Sequence, residues 1–198
     1  MVRVGIVGLG FMGMIHYLSY RKVRGAEVVA MCETDAKRLA GDWTSIKGNF
    51  GPPGEMMDLG HLARYSDFHE LLADANVDLI DCCLPPGMHV EVTVAALEAG
   101  KDVFCEKPIA LRAEDGARMV QTAADQNRLL MIGHVLPFFP EFDFVRKTVA
   151  SGKYGRLLGG HFKRVISDPQ WLTGFYDPHK IGGPMLDLHI HDAHFIRL

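Results

Sequence analysis

Val2-Arg3-Val4-Gly5-Ile6-Val7-Gly8-Leu9-Gly10-Phe11-Met12-Gly13 opens the chain, and its two halves demand different backbones. The apolar, β-branched run up to Val7 reads as a short buried strand. Glycines follow at the spacing G-x-G-x-x-G. Gly8 permits a tight turn, Gly10 lets backbone N–H groups approach a pyrophosphate, and Gly13 lets the next helix pack close to the strand. The phosphates would sit at the N-terminus of that helix, where unpaired N–H groups and the helix dipole favour an anion.

Working outward, a helix over 11–21 leads to a second apolar strand, Val28-Val29-Ala30-Met31-Cys32, which ends at Glu33. Glu33 lies twenty positions beyond Gly13, where a carboxylate can accept hydrogen bonds from adenosine ribose hydroxyls. Strand, glycine turn, helix, strand and acid together specify a dinucleotide site. The carboxylate would repel a 2′-phosphate and Thr34 offers no guanidinium, so NAD is expected over NADP. Lys37 works against that preference, since it can swing toward a phosphate.

The alternation continues. Asp35 can cap a helix carrying Ala36, Leu39, Ala40 and Trp43 on one side. Gly48-Asn49-Phe50-Gly51-Pro52-Pro53-Gly54 must be a loop, inserted before a short third strand at Ala63-Arg64-Tyr65. Asp67 starts a helix that buries Leu71 and Leu72. A fourth strand over 78–84 stops at Pro85-Pro86-Gly87, and a helix over 89–98 closes at Gly100. A fifth strand over 102–105 runs into Glu106-Lys107-Pro108. A helix over 114–126 precedes a sixth strand over 129–133. Six short strands alternating with amphipathic helices predict an α/β, doubly wound parallel sheet, whose ligands lie beyond the strands' carboxyl ends.

Composition bounds the function. The chain has 198 residues, a formal charge of −3 and a hydrophobic fraction of 48%, which exclude a largely disordered chain and argue against nucleic acid as the main partner. Cys32, Cys82, Cys83 and Cys105 lack metal-type spacing and read as buried core thiols. The first apolar run is too rich in glycine for a signal peptide, and no segment is long and apolar enough to span a membrane. A reducing cytoplasmic setting is the expectation.

Two clusters carry chemistry. Lys107 stands at a strand end beside the expected cofactor, where a lysine can polarise a substrate oxygen; Glu106 can pair with it or touch the cofactor. In Asp187-Leu188-His189-Ile190-His191-Asp192-Ala193-His194, helical spacing puts Asp187, His191 and His194 on one face and His189 and Asp192 on another. Spacing alone leaves a general base, metal ligation and plain helix packing all open.

The glycine loop, Glu106-Lys107-Pro108 and Gly182-Gly183-Pro184-Met185-Leu186-Asp187-Leu188-His189-Ile190-His191-Asp192, in that order, resemble the Gfo/Idh/MocA oxidoreductases, a family that includes glucose-fructose oxidoreductase and inositol dehydrogenases. The resemblance runs essentially from Met1 to Leu198. It implies a Rossmann domain over 1–134 and, over 135–198, the start of a second α/β domain built on an open antiparallel sheet, to which the strand that the sequence itself suggests over 157–166 would belong. It further implies NAD(P)-dependent hydride transfer on a sugar, cyclitol or related polyol, with no metal required. Lys107, Asp187 and His191 become the catalytic residues: His191 moves the hydroxyl proton, while Lys107 and Asp187 orient substrate. Gly8, Gly10, Phe11, Met12, Gly13, Glu33, Pro85, His89, Glu106 and Lys107 become the cofactor's contacts. Subunit association through the second domain's sheet, as a homo-oligomer, is also implied.

Two features depart from the family. Pro137 stands near where many relatives place an arginine after Gly133-His134. Relatives also continue well past Leu198, so the chain reads either as a fragment or as a reduced form whose apolar surface a partner covers. A non-catalytic dinucleotide-binding regulator of the same fold is the alternative function, and a metal-dependent hydrolase using His189, His191 and His194 is a third.

Overall fold

The computed structural model describes residues 1–170, 172 and 174–198. Six parallel strands form one sheet: β1 (Val2–Val7), β2 (Ala26–Cys32), β3 (Ala63–Tyr65), β4 (Leu79–Cys82), β5 (Asp102–Cys105) and β6 (Leu130–Ile132). Their order is β3-β2-β1-β4-β5-β6, so the chain reverses direction across the sheet between β1 and β4. That switch opens a crevice beyond the carboxyl ends of those two strands.

Side-chain alternation along each strand feeds two cores, one on either face. Val4, Ile6 and Met31 point to the face where α1 (Phe11–Tyr20) supplies Met14 and Tyr17. Trp43, Ile46 and Leu59 complete that layer from the long connection between α2 (Ala36–Leu39) and β3. Ala30, Cys32, Ile80, Cys82 and Val103 point to the other face. There α3 (Phe68–Leu72), α4 (His89–Glu98) and α5 (Ala113–Asp125) supply Leu71, Val92, Leu97 and Met119. Fully burying one such Val, Leu or Ile side chain is worth about 1.5–3 kcal/mol.

Helix starts follow the sequence signals. Asp35 accepts hydrogen bonds from Lys37 N and Arg38 N, and Asp67 from His69 N. Gly100 ends α4 at φ +77°. The helix after Asp35 stops at Leu39, short of Trp43, because the chain turns there and closes with Trp43 Nε1 donating to Arg38 O at 2.9 Å. The four cysteines are free and buried.

Beyond Gly133 the chain makes α6 (Pro140–Ala150), α7 (Pro178–Ile181) and α8 (Gly183–Ile196). The strand expected over 157–166 is absent: that stretch has no strand neighbour to pair with, and Leu157, Leu158 and Val165 are exposed. An extended segment without a partner strand leaves its backbone groups to water. The aromatic loop that follows contains the buried Phe175 and exposed Tyr176; Trp171 lies outside the described residues. No helix among the described residues is long and apolar enough to cross a membrane.

Candidate functional site

The carboxyl edge of the sheet opens into a cleft of about 2160 Å³ bordered by Gly8, Gly10, Glu33, Pro85, Lys107 and His191. That space exceeds what a small substrate alone requires. The three glycines of the first turn have separable roles. Gly8 has φ +95°, and a Cβ there would lie 2.9 Å from Cys83 O. A Cβ on Gly13 would lie 2.0 Å from Gly8 O, so helix and turn touch backbone to backbone. A Cβ on Gly10 would meet nothing within 4 Å; it would enter the cleft. α1 begins there with no side-chain cap and no charged residue in its first turn. An uncapped helix end under open space fits a dinucleotide's phosphates.

Glu33 borders the cleft and braces the turn: its Oε2 accepts from Leu9 N at 2.8 Å and its Oε1 from Asp35 N at 3.0 Å. Oε1 also accepts from Thr34 Oγ1 at 3.2 Å; a carboxylate offers about four acceptor positions, so these three bonds leave room for one from a ribose hydroxyl. Phe11, Met12 and Glu106 also border the cleft, whereas Gly13 acts by close packing. His89 does not reach it. Its ring is fully buried, with Nδ1 2.8 Å from Pro108 O and Nε2 2.8 Å from Leu84 O. Those contacts tie the loop after β4 to the loop after β5, which corrects its expected place at the cofactor's border.

At the other end of the cleft α8 folds back over the sheet edge. Lys107 Nζ donates to Asp187 Oδ1 and to Asp187 O, each at 2.8 Å. His191, one turn along α8, borders the same cleft. Burial, then the charges of Lys107 and Arg164, push its imidazole down to about 4, so it is neutral at neutral pH and can accept a proton. Its Nδ1 is buried without a hydrogen-bond partner, as are those of His134 and His194. His134 and His194 stack with centroids 4.1 Å apart, and His189 Nδ1 turns to Asp192 at 3.4 Å. His191 also lies against His134, edge-on with centroids 6.4 Å apart, while His189 faces away from both; among the described residues the three α8 histidines form no common ligand set.

Sequence reasoning missed His16. From the second turn of α1 it bridges two strand ends: Nδ1 lies 2.9 Å from Asp81 Oδ2 and Nε2 3.1 Å from Glu106 Oε1. Its ring stacks on Phe104. Burial alone would lower its pKa, but hydrogen bonds to Asp81 and Glu106 raise it to about 10. Glu106 is likewise buried, yet His16 and Lys107 hold its carboxyl below the usual value. Glu106 Oε2 in turn accepts from Lys107 N at 3.0 Å. The clue in the sequence was Asp81, a carboxylate inside an apolar strand, which requires a buried partner. Arg164 was missed as well; it borders the cleft and makes a two-point pair with Asp192, at 2.9 and 2.8 Å.

The sequence model of an oxidoreductase family with an NAD-binding Rossmann fold, GFO_IDH_MocA, matches residues 2–134. The chain is 30% identical over 197 residues to a myo-inositol 2-dehydrogenase of Thermotoga maritima, covering 99% of this chain and 54% of that protein. It is 30% identical over 199 residues to a 1,5-anhydro-D-fructose reductase of Ensifer adhaerens, covering 100% of this chain and 56% of that protein. Among solved structures, scyllo-inositol dehydrogenase from Lactobacillus casei with bound NAD(H) and scyllo-inositol matches with a TM-score of 0.67 and 29% identity, over 78% of this chain and 42% of that one. The chain spans about half the length of the curated relatives it matches.

Proposed function

The chain belongs to the Gfo/Idh/MocA oxidoreductase family, which carries an NAD-binding Rossmann fold, and from that premise we propose that it binds NAD and serves hydride transfer on a cyclitol, sugar or related polyol. The observation that carries this reading is the Lys107–Asp187 contact at 2.8 Å, with His191 on the same cleft as the glycine turn. Residues 1–134 hold the cofactor and 135–198 begin the substrate side. When bound, the nicotinamide supplies the redox chemistry itself.

The chain's own groups would do the rest. His191, kept neutral, accepts the proton of the substrate hydroxyl at a ring nitrogen as the alcohol is oxidised, and returns it in the reverse direction. Lys107, held by the carboxylate and carbonyl of Asp187, donates a hydrogen bond to the substrate oxygen as charge develops there. The clamp from His16 to Glu106 keeps the backbone that carries Lys107 in place. The relatives' names support that substrate class: one is a myo-inositol 2-dehydrogenase and another a 1,5-anhydro-D-fructose reductase.

Calorimetry with NADH, paired with NAD reduction over a panel of inositols and sugars, tests the proposal. NADH should bind, Lys107→Met and His191→Ala should each suppress turnover, and His191→Ala should leave NADH affinity within about threefold, a difference below about 1 kcal/mol. Turnover by the 198-residue chain itself should be weak, because α8 has little buried surface holding it over the cleft. Failure of NADH to bind would overturn the assignment.

A further inference from the structure

The connection between α2 and β3 returns over the start of α1. Trp43 and Ile46 anchor it in the core, and the Gly54 backbone lies flush on Trp43 O, where a Cβ would come within 1.8 Å. At its tip Gly48 lies on the Phe11 ring so closely that a Cβ would meet Phe11 Cε2 at 1.9 Å. Phe50 then meets the same ring edge-on, with centroids 4.8 Å apart. Phe11 is the first residue of α1. Residue 47 thereby lies one position from the Gly48 contact with the Phe11 ring, at the helix end read above as the phosphate site.

Charge accounting singles out that residue. A pyrophosphate brings two negative charges, and the first turn of α1 contributes none of the opposite sign. The cations bordering the cleft are mostly committed. His16 is held by Asp81 and Glu106, Lys107 by Asp187, and Arg164 by Asp192. Arg38 stands 3.9 Å from Asp35. Lys47 borders the cleft and has no ionic partner among the described residues. We infer that Lys47, carried by the 41–57 strap, is a phosphate-binding residue for the dinucleotide, closing its ammonium onto the pyrophosphate from the side opposite the helix end. This rests on the cofactor reading above. A lysine is suited to the task because its ammonium acts as a compact point charge on a flexible stem.

The test is NADH binding measured against ionic strength for the wild-type chain, Lys47→Ala and Lys47→Arg. Loss of one charge-assisted phosphate contact should weaken binding about tenfold at low salt and flatten its salt dependence. Lys47→Arg should restore most of both. Equal affinity in wild type and Lys47→Ala would overturn the inference while leaving the cofactor reading intact. Weaker binding with an unchanged salt dependence would also overturn it, because the strap would then act by packing. A wild-type chain that does not bind NADH would overturn both.

Discussion

Residues up to Gly133 hold themselves together, whereas the segment beyond it leans on them. Within the sheet every strand has a hydrogen-bonded neighbour, and helices cover both faces. Beyond residue 134 few apolar side chains among the described residues are buried, Leu136, Phe175, Ile181 and Phe195 among them, while Phe138, Phe144, Leu158 and Met185 are exposed. The candidate site straddles this boundary. Its glycine-turn half, the proposed cofactor side, is built into the sheet edge, and the half with Asp187 and His191, the proposed proton-transfer side, rides on α8, which reaches that edge through a few polar contacts. Binding should therefore survive perturbations that abolish turnover.

The largest expected effect would come from breaking the first region at its buried charge cluster. His16→Ala removes the group between Asp81 and Glu106, both buried. Stripping one partner from a buried ionic contact costs about 3–5 kcal/mol, because the remaining charge stays desolvated. Denaturant unfolding should show that loss, and a change below about 1 kcal/mol would mean that water reaches the carboxylates.

Next in size is Gly10→Val, which separates folding from binding inside the same region. Its side chain would point into the cleft and meet no protein atom, so the melting temperature should hold while NADH affinity falls by about a hundredfold or more, roughly 3 kcal/mol. Gly13→Ala should do the reverse damage, since its Cβ would collide with Gly8 O. If both variants lose stability equally, the glycines do not divide their work in this way.

The pH dependence distinguishes the two regions by sign. His16 titrates at about 10 in the folded chain against about 6.5 unfolded. Its contribution is whole below pH 6.5 and is lost as pH rises through 10, at no more than about 1.4 kcal/mol per pH unit for one proton. His191 is shifted the other way, to about 4. The unfolded chain therefore takes up its proton first, and stability falls as pH drops from 6.5 through 4. The alkaline loss should appear in global unfolding and vanish in His16→Ala. The acid loss should appear first as release of α8, read by hydrogen exchange over 183–196.

Legibility followed the same division. The six strands and the helices between them could be read because each signal was local: apolar runs, Asp caps, and Gly or Pro stops. The glycine turn, Lys107, Asp187 and His191 stood out as motifs. His16 did not, since a histidine in an amphipathic helix looks ordinary until a strand 65 residues away places Asp81 against it. His89 misled for the related reason that its neighbours in sequence border the cleft while its own ring turns into the core. The strand over 157–166 failed because strand formation depends on a neighbour, which periodicity cannot supply.

The smallest predicted effect concerns the contact that ties the extended segment down. Arg164 reaches from the 157–169 stretch to Asp192 on α8 with two hydrogen bonds, which together with its charge hold the Asp192 carboxyl below the ordinary range. Arg164 is partly exposed and Asp192 is nearly buried, so the pair is neither a freely solvated bridge nor a sealed one. His189 stands 3.4 Å from the same carboxylate and can take over part of its neutralisation. Arg164→Ala should consequently cost about 1 kcal/mol or less in global stability. Its signature should instead be local: faster proteolytic cleavage within 157–169, because that backbone has no sheet partner to protect it once the tether is gone. NADH affinity should not move, since the proposed phosphate and ribose contacts all lie before residue 134. Slower cleavage, or a matching loss of NADH binding, would show that the segment is part of the cofactor half and that the boundary at Gly133 is misplaced.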